Sequence, residues 1–300
     1  IFFYNEKENI PLILSEVKNL IRVESNYDFE LLLMDNNSND GSAIAAKEEL
    51  KNFNGSKYIK LSRNFGYQAN IKAGYDHCTG DAAVQLDADG EDDPKIISEF
   101  LRSWEQGFDV VYGLREKRQE NFVLSYIRNL FYFFLKKFSE IDIPSKAGDF
   151  RIIDRKVIDY LKKFNEKNLY LRGLISFIGF KQKGIKYTRK KRLSGKSKIS
   201  LFKYFNISLT AITSFTKTPL LIIFIIGLLT FIFSLIMLII YFILYIKGSI
   251  VEPGFTTLIL IQLLFFGLLM FLIGILSIYL GFILDEVKKR PTYIIDDEKK

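Results

Sequence analysis

Asp87 and Asp89 stand two positions apart at the end of the apolar run Ala82–Leu86. In an extended segment, residues i and i+2 point to the same side, so the two carboxylates converge. They repel each other unless a cation lies between them. A hard, oxygen-ligated divalent ion, Mg2+ or Mn2+, resolves that conflict, and Mg2+ completes such a shell with water and substrate phosphates. A solvated acidic loop after a strand is the plainer alternative. Other chemistries are closed off by composition. The chain has one Cys (Cys78) and one His (His77), which excludes a disulfide framework, a Cys/His zinc site and a His-based triad. Carboxylates, Lys and Arg, hydroxyls and an added metal remain.

The elements that must position this pair read as alternating strands and helices. Phe29–Met34 is a continuous apolar run of the kind found in buried parallel strands. Tyr58–Leu61, Ala82–Leu86 and Val110–Tyr112 are further strands, and Ile1–Tyr4 reads as the tail of another. Amphipathic helices are expected at Ile10–Val23, Ser42–Asn52, Gln68–His77 and Lys95–Gln106. The alternation predicts an α/β sheet with crossover helices. In such sheets ligands bind beyond the carboxyl ends of the strands. Polar loops follow four strands here: Asn5-Glu6, Asp35–Gly41, Ser62–Gly66 and Asp87–Asp93. No G-x-G-x-x-G follows the first strand. Gly195-Lys196-Ser197 lacks the Gly that a P-loop needs at position 190, where Lys190 stands. Nucleic acid is not expected as a partner.

The rest of the chain is of another kind. Hydrophobic residues make up 49% of the sequence, with 28 Phe, and the excess lies near the C-terminus. Pro219–Ile246 and Phe255–Leu284 carry no charge. Each exceeds the ~20 residues that cross a bilayer. A transmembrane hairpin (219–246 and 255–284) is expected, with buried core helices as the alternative. No secretory leader pattern is read at the start. Basic residues crowd both flanks, from Arg189 to Lys217 and from Lys288 to Arg290, whereas the connecting loop has only Lys247. The positive-inside rule then places both ends and the N-terminal domain in the cytoplasm, as a multi-pass protein of the inner membrane. No Asp or Glu occurs between Glu166 and Glu252. This basic collar reads either as a topology signal attracted to anionic head groups or as a site for an anionic lipid substrate. Two stretches, about 121–138 and 199–217, have the composition of helices lying flat on the membrane. The expected layout is a catalytic domain over 1–198, a juxtamembrane helix over 199–217, the two spans, and a cytoplasmic tail over 285–300.

The order of these pieces resembles a known family. Tyr4-Asn5-Glu6, Asp35 with Ser38-x-Asp40-Gly41-Ser42, Ser62-Arg63-Asn64-Phe65-Gly66, and Asp87-Ala88-Asp89 with Asp92-x-Pro94 are similar to family 2 glycosyltransferases of the GT-A fold. Tyr112-Gly113-x-Arg115, Gly148-Asp149-Phe150-Arg151, Arg172-Gly173 and Ser194-Gly195-x-Ser197-Lys198 resemble its polyprenyl-phosphate branch, the dolichyl-phosphate mannose synthase and bactoprenol glucosyltransferase group. The resemblance implies inverting transfer of a hexose from a UDP- or GDP-sugar to a polyprenyl phosphate. Other acceptors, or a non-catalytic membrane scaffold, are the alternatives. It implies that Tyr4, Asn5, Glu6, Asp35, Ser38, Arg63 and Asp87 bind nucleotide, and that Asp87 and Asp89 hold the metal. It also puts Asp149 and Asp92 at catalytic positions. For the acceptor phosphate, Arg115, Arg128, Arg151, Arg189 and Lys198 are the expected cations. Branch members are similar in forming homo-oligomers through the membrane region. One departure stands out: Gly90-Glu91 replace the family's usual Leu-Gln, which makes Glu91 a candidate third metal ligand.

Overall fold

Period-two burial in the strands decides which helices cover which face. In the computed structural model, residues 1–51, 53, 55–115, 147–190, 218–247 and 255–299 are described. β1 (Phe2–Phe3), β2 (Leu31–Asp35) and β3 (Ser56–Leu61) pair in parallel. β4 (Ala82–Gln85) and β5 (Val110–Arg115) both pair antiparallel with β6 (Ala147–Asp154), and β7 (Gln182–Tyr187) runs parallel to β5. Leu33, Tyr58, Val111, Phe150 and Ile152 share one core with Ile10, Ile13 and Leu14 of α1 (Asn9–Val23), Ala46 of α2 (Ser42–Leu50) and Phe100 of α4 (Ile96–Glu105). Their neighbours Met34, Ile59, Val110 and Ile153 are just as buried but lie outside that core. Alternation along a strand sends them to the opposite face. There α3 (Tyr67–His77) and α5 (Arg155–Lys163) pack, along with α6 (Leu171–Ile178). A methyl at Gly74 of α3 would lie 2.9 Å from the Phe2 ring, so glycine is what lets that helix approach the sheet.

The two four-stranded sheets, β1-β2-β3-β8 (β8 being Ile295–Lys299) and β4-β6-β5-β7, join at one point. The Phe2 N–H donates to the Leu86 carbonyl at 3.1 Å, and the Ala88 N–H donates to the Phe2 carbonyl at 3.1 Å. Phe2 and Asp87 thus form a parallel bridge. The combined order is β8-β3-β2-β1-β4-β6-β5-β7. The chain winds outward from β1 through β3, then returns to the other side of β1 at β4, and this reversal is the switch point where α/β sheets leave a crevice. The parallel half, the crossovers and the GT-A architecture agree with the expectation from sequence. Sequence reading did not find β6, β7, α5 or α6.

Nor did it find β8 (Ile295–Lys299), which pairs antiparallel with β3 inside the stretch expected to be a tail. Ile294 accepts from the Ser62 N–H at 2.9 Å, Asp297 meets Lys47 at 2.7 Å, and the Tyr293 hydroxyl donates to Asp76 at 2.9 Å. Residues 290–300 therefore fold with residues 1–214 as one unit, while 215–289 form a second. The second unit holds α7 (Thr218–Ile246) and α8 (Phe255–Val287), which cover the two expected spans. Among the described residues, Phe265–Val287 is long and apolar enough to cross a membrane, with a mean hydropathy of 2.5 and 6% burial. Large apolar side chains along α7, among them Phe224, Leu229 and Phe233, are exposed as well. The expected flat helices at 121–138 and 199–217, with Arg128 and Lys198, lie outside the described residues.

Candidate active site

Asp87 sits at the join of the two sheets, and both its carboxylate oxygens reach the Tyr67 hydroxyl, at 2.9 and 3.1 Å. Burial pushes its carboxyl up to about 8, and the negative charges of Asp89, Asp92 and Asp149 add to the effect. Three further carboxylates close enough to raise it make this a site short of positive charge. Among the described residues, no three Asp, Glu, His or Cys side chains form a ready metal cage. Two carboxylates that gain the remaining ligands from a phosphate-bearing substrate are the donor set Mg2+ accepts, and Asp87 with Asp89 fits that description.

The loop after β4 turns at Gly90, whose φ of 71° lies in the left-handed region that glycine enters without strain. Asp89 accepts from the Glu91 N–H at 3.1 Å. Asp92 is 1% exposed and accepts from the Tyr187 hydroxyl at the end of β7. That contact depends on Gly113, where a methyl would collide with the Tyr187 ring. Arg189 lies against three carboxylates: its Nε is 3.1 Å from Asp92, its Nη2 is 4.0 Å from Asp89, and its Nη1 is paired with Glu91. Arg115, at the end of β5, is 3.9 Å from Asp92 and rests against Gly148. The Arg115 Nε is buried and has no hydrogen-bond partner among the described residues. A buried donor left unmade is costly, which makes it a candidate donor to a ligand oxygen.

Asp149, on β6, is gripped at both oxygens by Arg172, with Nε and Nη2 each at 2.6 Å. Burial would raise its carboxyl, but Arg172, Arg151 and Arg115 outweigh that and hold it down at about 2. Arg151 donates to the Gly148 carbonyl at 2.8 Å and stands 3.8 Å from Asp149. The loops after β1 and β2 are stitched together. The Asn5 N–H donates to Ser38 Oγ and the Glu6 N–H to Ser42 Oγ, both at 2.9 Å. Asp35 is fully buried. Its carboxylate accepts from the Ser38 N–H at 2.8 Å and the Tyr58 hydroxyl at 2.7 Å, so its visible task is to shape this loop. Arg63 stacks on Phe65, 4.2 Å from the ring centroid.

The structure thus places Asn5, Glu6, Ser38, Arg63 and the Asp87–Asp92 loop at one strand edge, and brings Arg115, Asp149 and Arg189 to the acidic loop, with Arg151 beside Asp149. Glu91 faces Arg189 and is paired with its Nη1. Tyr67, Arg172 and Tyr187 were not singled out as site residues. For Tyr67 and Tyr187 the only signal was adjacency to motif residues, Tyr67 following Gly66 and Tyr187 lying two residues before Arg189, whereas Arg172 stands in the Arg172-Gly173 pair that resembles the polyprenyl-phosphate branch.

Comparison with known proteins gives a consistent answer. The model of Glycosyl transferase family 2 matches residues 1–161. An uncharacterized glycosyltransferase, YkcC, of Bacillus subtilis is 38% identical, with 97% of this chain and 90% of the relative covered. The prophage bactoprenol glucosyl transferase homolog of Escherichia coli is 33% identical, covering 99% of this chain and 97% of its own. The bactoprenol glucosyl transferase of Shigella phage SfV is 32% identical, over 99% and 97%.

Proposed function

Because this chain belongs to glycosyl transferase family 2, we propose that it transfers a hexose from a nucleotide-diphosphate sugar, with inversion, to a polyprenyl phosphate. The observation that carries the acceptor is coverage. The bactoprenol glucosyl transferases match nearly the whole chain, apolar C-terminal unit included, and not merely the nucleotide-binding half. The site is suited to this chemistry. Asp87 and Asp89 would hold Mg2+ or Mn2+, which when bound neutralises charge on the departing diphosphate. Tyr4, Asn5, Glu6, Ser38 and Arg63 ring the strand ends where a nucleotide would lie, and Asp35 braces them. Arg115, with its unpaired buried Nε, is the first cation for a phosphate oxygen. Arginine suits a grip on two oxygens.

Asp149 is proposed as an orienting group and not a proton acceptor. Paired with Arg172 and depressed to about 2, it is a very weak base at neutral pH. A phosphate monoester with a second pKa near ~6 needs none, being already an anionic nucleophile. Asp92 likewise aligns Arg115, Tyr187 and Arg189.

The topology proposed is an even number of crossings with the catalytic unit in the cytoplasm. β8 supports it: residues 290–300 fold with residues 1–214, so the apolar unit begins and ends at the same folded body. The basic flanks favour the cytoplasmic side. The test is lipid labelling. Membranes carrying the protein are incubated with radiolabelled UDP-glucose and GDP-mannose, and the lipid phase is extracted. Wild type is expected to label lipid with one donor, and Asp89→Ala to abolish it. Equal labelling by both would refute the metal assignment, and no labelling by wild type with any nucleotide sugar would refute the function.

A further inference from the structure

The Asp87–Asp93 loop and the end of β7 are fastened together more tightly than a shared substrate requires. The Lys190 N–H donates to the Glu91 carbonyl at 2.8 Å. Lys190 Nζ reaches Asp93 at 3.0 Å and Glu16 at 3.3 Å. Within this frame the three guanidinium nitrogens of Arg189 face three different carboxylates: Nε Asp92, Nη1 Glu91 and Nη2 Asp89. The Nη2 contact, at 4.0 Å, is the loosest. Asp89 is also the carboxylate that a divalent ion would claim, and an ion there would weaken its hold on Nη2.

We propose that Glu91 is a positioning residue for Arg189: with Asp92 it fixes the Nε–Nη1 edge of the guanidinium and leaves Nη2 as the working edge, which turns to a phosphate oxygen once Asp89 is committed to the ion. Glu91 acts through the arginine and does not bind the metal. The carboxylate matters because it meets the guanidinium as an ion pair, whereas a glutamine would offer it only an uncharged carbonyl oxygen. In this chain the residue that departs from the usual motif therefore serves the anionic acceptor. The inference rests on the acceptor reading above.

The test uses the full chain in detergent, with Glu91→Gln, Arg189→Lys and the double variant. Mn2+ affinity is read from the EPR signal of the free ion, with UDP and with GDP present, and the acceptor KM is measured with a short-chain polyprenyl phosphate. Glu91→Gln is expected to raise the acceptor KM about tenfold, to leave the Mn2+ Kd within about twofold, and to add nothing once Arg189 is lysine. Weakening of Mn2+ by more than about twofold, in wild type and again in the Arg189→Lys background, would make Glu91 a ligand and overturn the inference. An unchanged KM, or KM effects that multiply in the double variant, would overturn it too. Should wild type transfer no sugar to any lipid, the acceptor reading itself falls. The Mn2+ titration and the Glu91–Arg189 coupling in thermal unfolding still decide the role of Glu91.

Discussion

Asp149 owes its charge to the arginines around it, and that has a measurable sign. Its folded-state value of about 2 lies below the ordinary 3.8, so ionisation favours the folded state. That contribution is complete above pH ~4 and is lost as pH falls through 2. A shift of nearly two units corresponds to roughly 2–3 kcal/mol. Thermal unfolding of wild type between pH 5 and pH 2 should therefore lose more stability than Asp149→Asn does over the same interval. At neutral pH the Asn variant should already be less stable by about 3–5 kcal/mol, because it strands a buried guanidinium. An acid limb in the activity profile should follow the acceptor phosphate, near pH ~6, and not Asp149. Were Asp149 the base, the limb would move in variants that disturb Arg172. Gly113 makes a second prediction at this scale. A methyl there would collide with the Tyr187 ring, which carries the hydroxyl that Asp92 accepts. Gly113→Ala should cost about 1–3 kcal/mol in stability from overpacking, and transfer should fall further than stability alone predicts. Activity measured well below the melting temperature separates the two.

The elements legible in sequence were those whose pattern and position agree. β2 is an apolar run buried on both faces, β3 buries Tyr58, Ile59 and Leu61, and α1 and α4 bury one stripe and expose the other. Their turns carry the polar residues that mark strand ends, so Asp87, Asp89 and Arg115 could be named before any coordinates, while Asp149 came from the family resemblance alone. β6 and β7 escaped for a physical reason. Their sequences alternate with Arg151, Lys183 and Lys186, and only pairing beside β5 gives those positions a place. Arg172 and Tyr187 escaped because each meets its carboxylate across long sequence separations: 23 residues for Arg172 and Asp149, 95 for Tyr187 and Asp92. β8 is the sharpest case. Ile-Asp-Asp-Glu-Lys reads as a solvated tail, yet charge is how natural edge strands avoid further pairing. Deleting residues 291–300 should bare β3 and lower the melting temperature by several degrees, with aggregation in detergent. Asp297→Asn takes the charge from the partner of Lys47 and should cost about 0.5–1 kcal/mol. If the deletion is as mild as the point change, β8 is an ornament and not part of the catalytic unit.

At the scale of the whole molecule, β8 bears on membrane topology in a way hydropathy does not. Among the described residues, hydropathy picks out one helix long and apolar enough to cross a membrane, Phe265–Val287. One crossing would leave residues 290–300 on the far side from residues 1–214, and they could not then complete the same sheet. Their pairing with β3 thus argues that α7 crosses as well, and the basic flanks argue for the cytoplasmic side. The lone cysteine makes the test clean. Cys78 is buried, so cysteines placed by Ser249→Cys, between the helices, and Thr292→Cys, before β8, would be the reactive ones. In spheroplasts a membrane-impermeant maleimide should label the first without permeabilisation and the second only after it. Labelling of both from outside would mean that α8 does not cross, and would break the even-crossing argument. Labelling of neither before permeabilisation would make the apolar unit a re-entrant or surface-lying body. Labelling of Thr292→Cys alone would reverse the proposed orientation or leave α8 as the one crossing, and either result would refute the proposed topology.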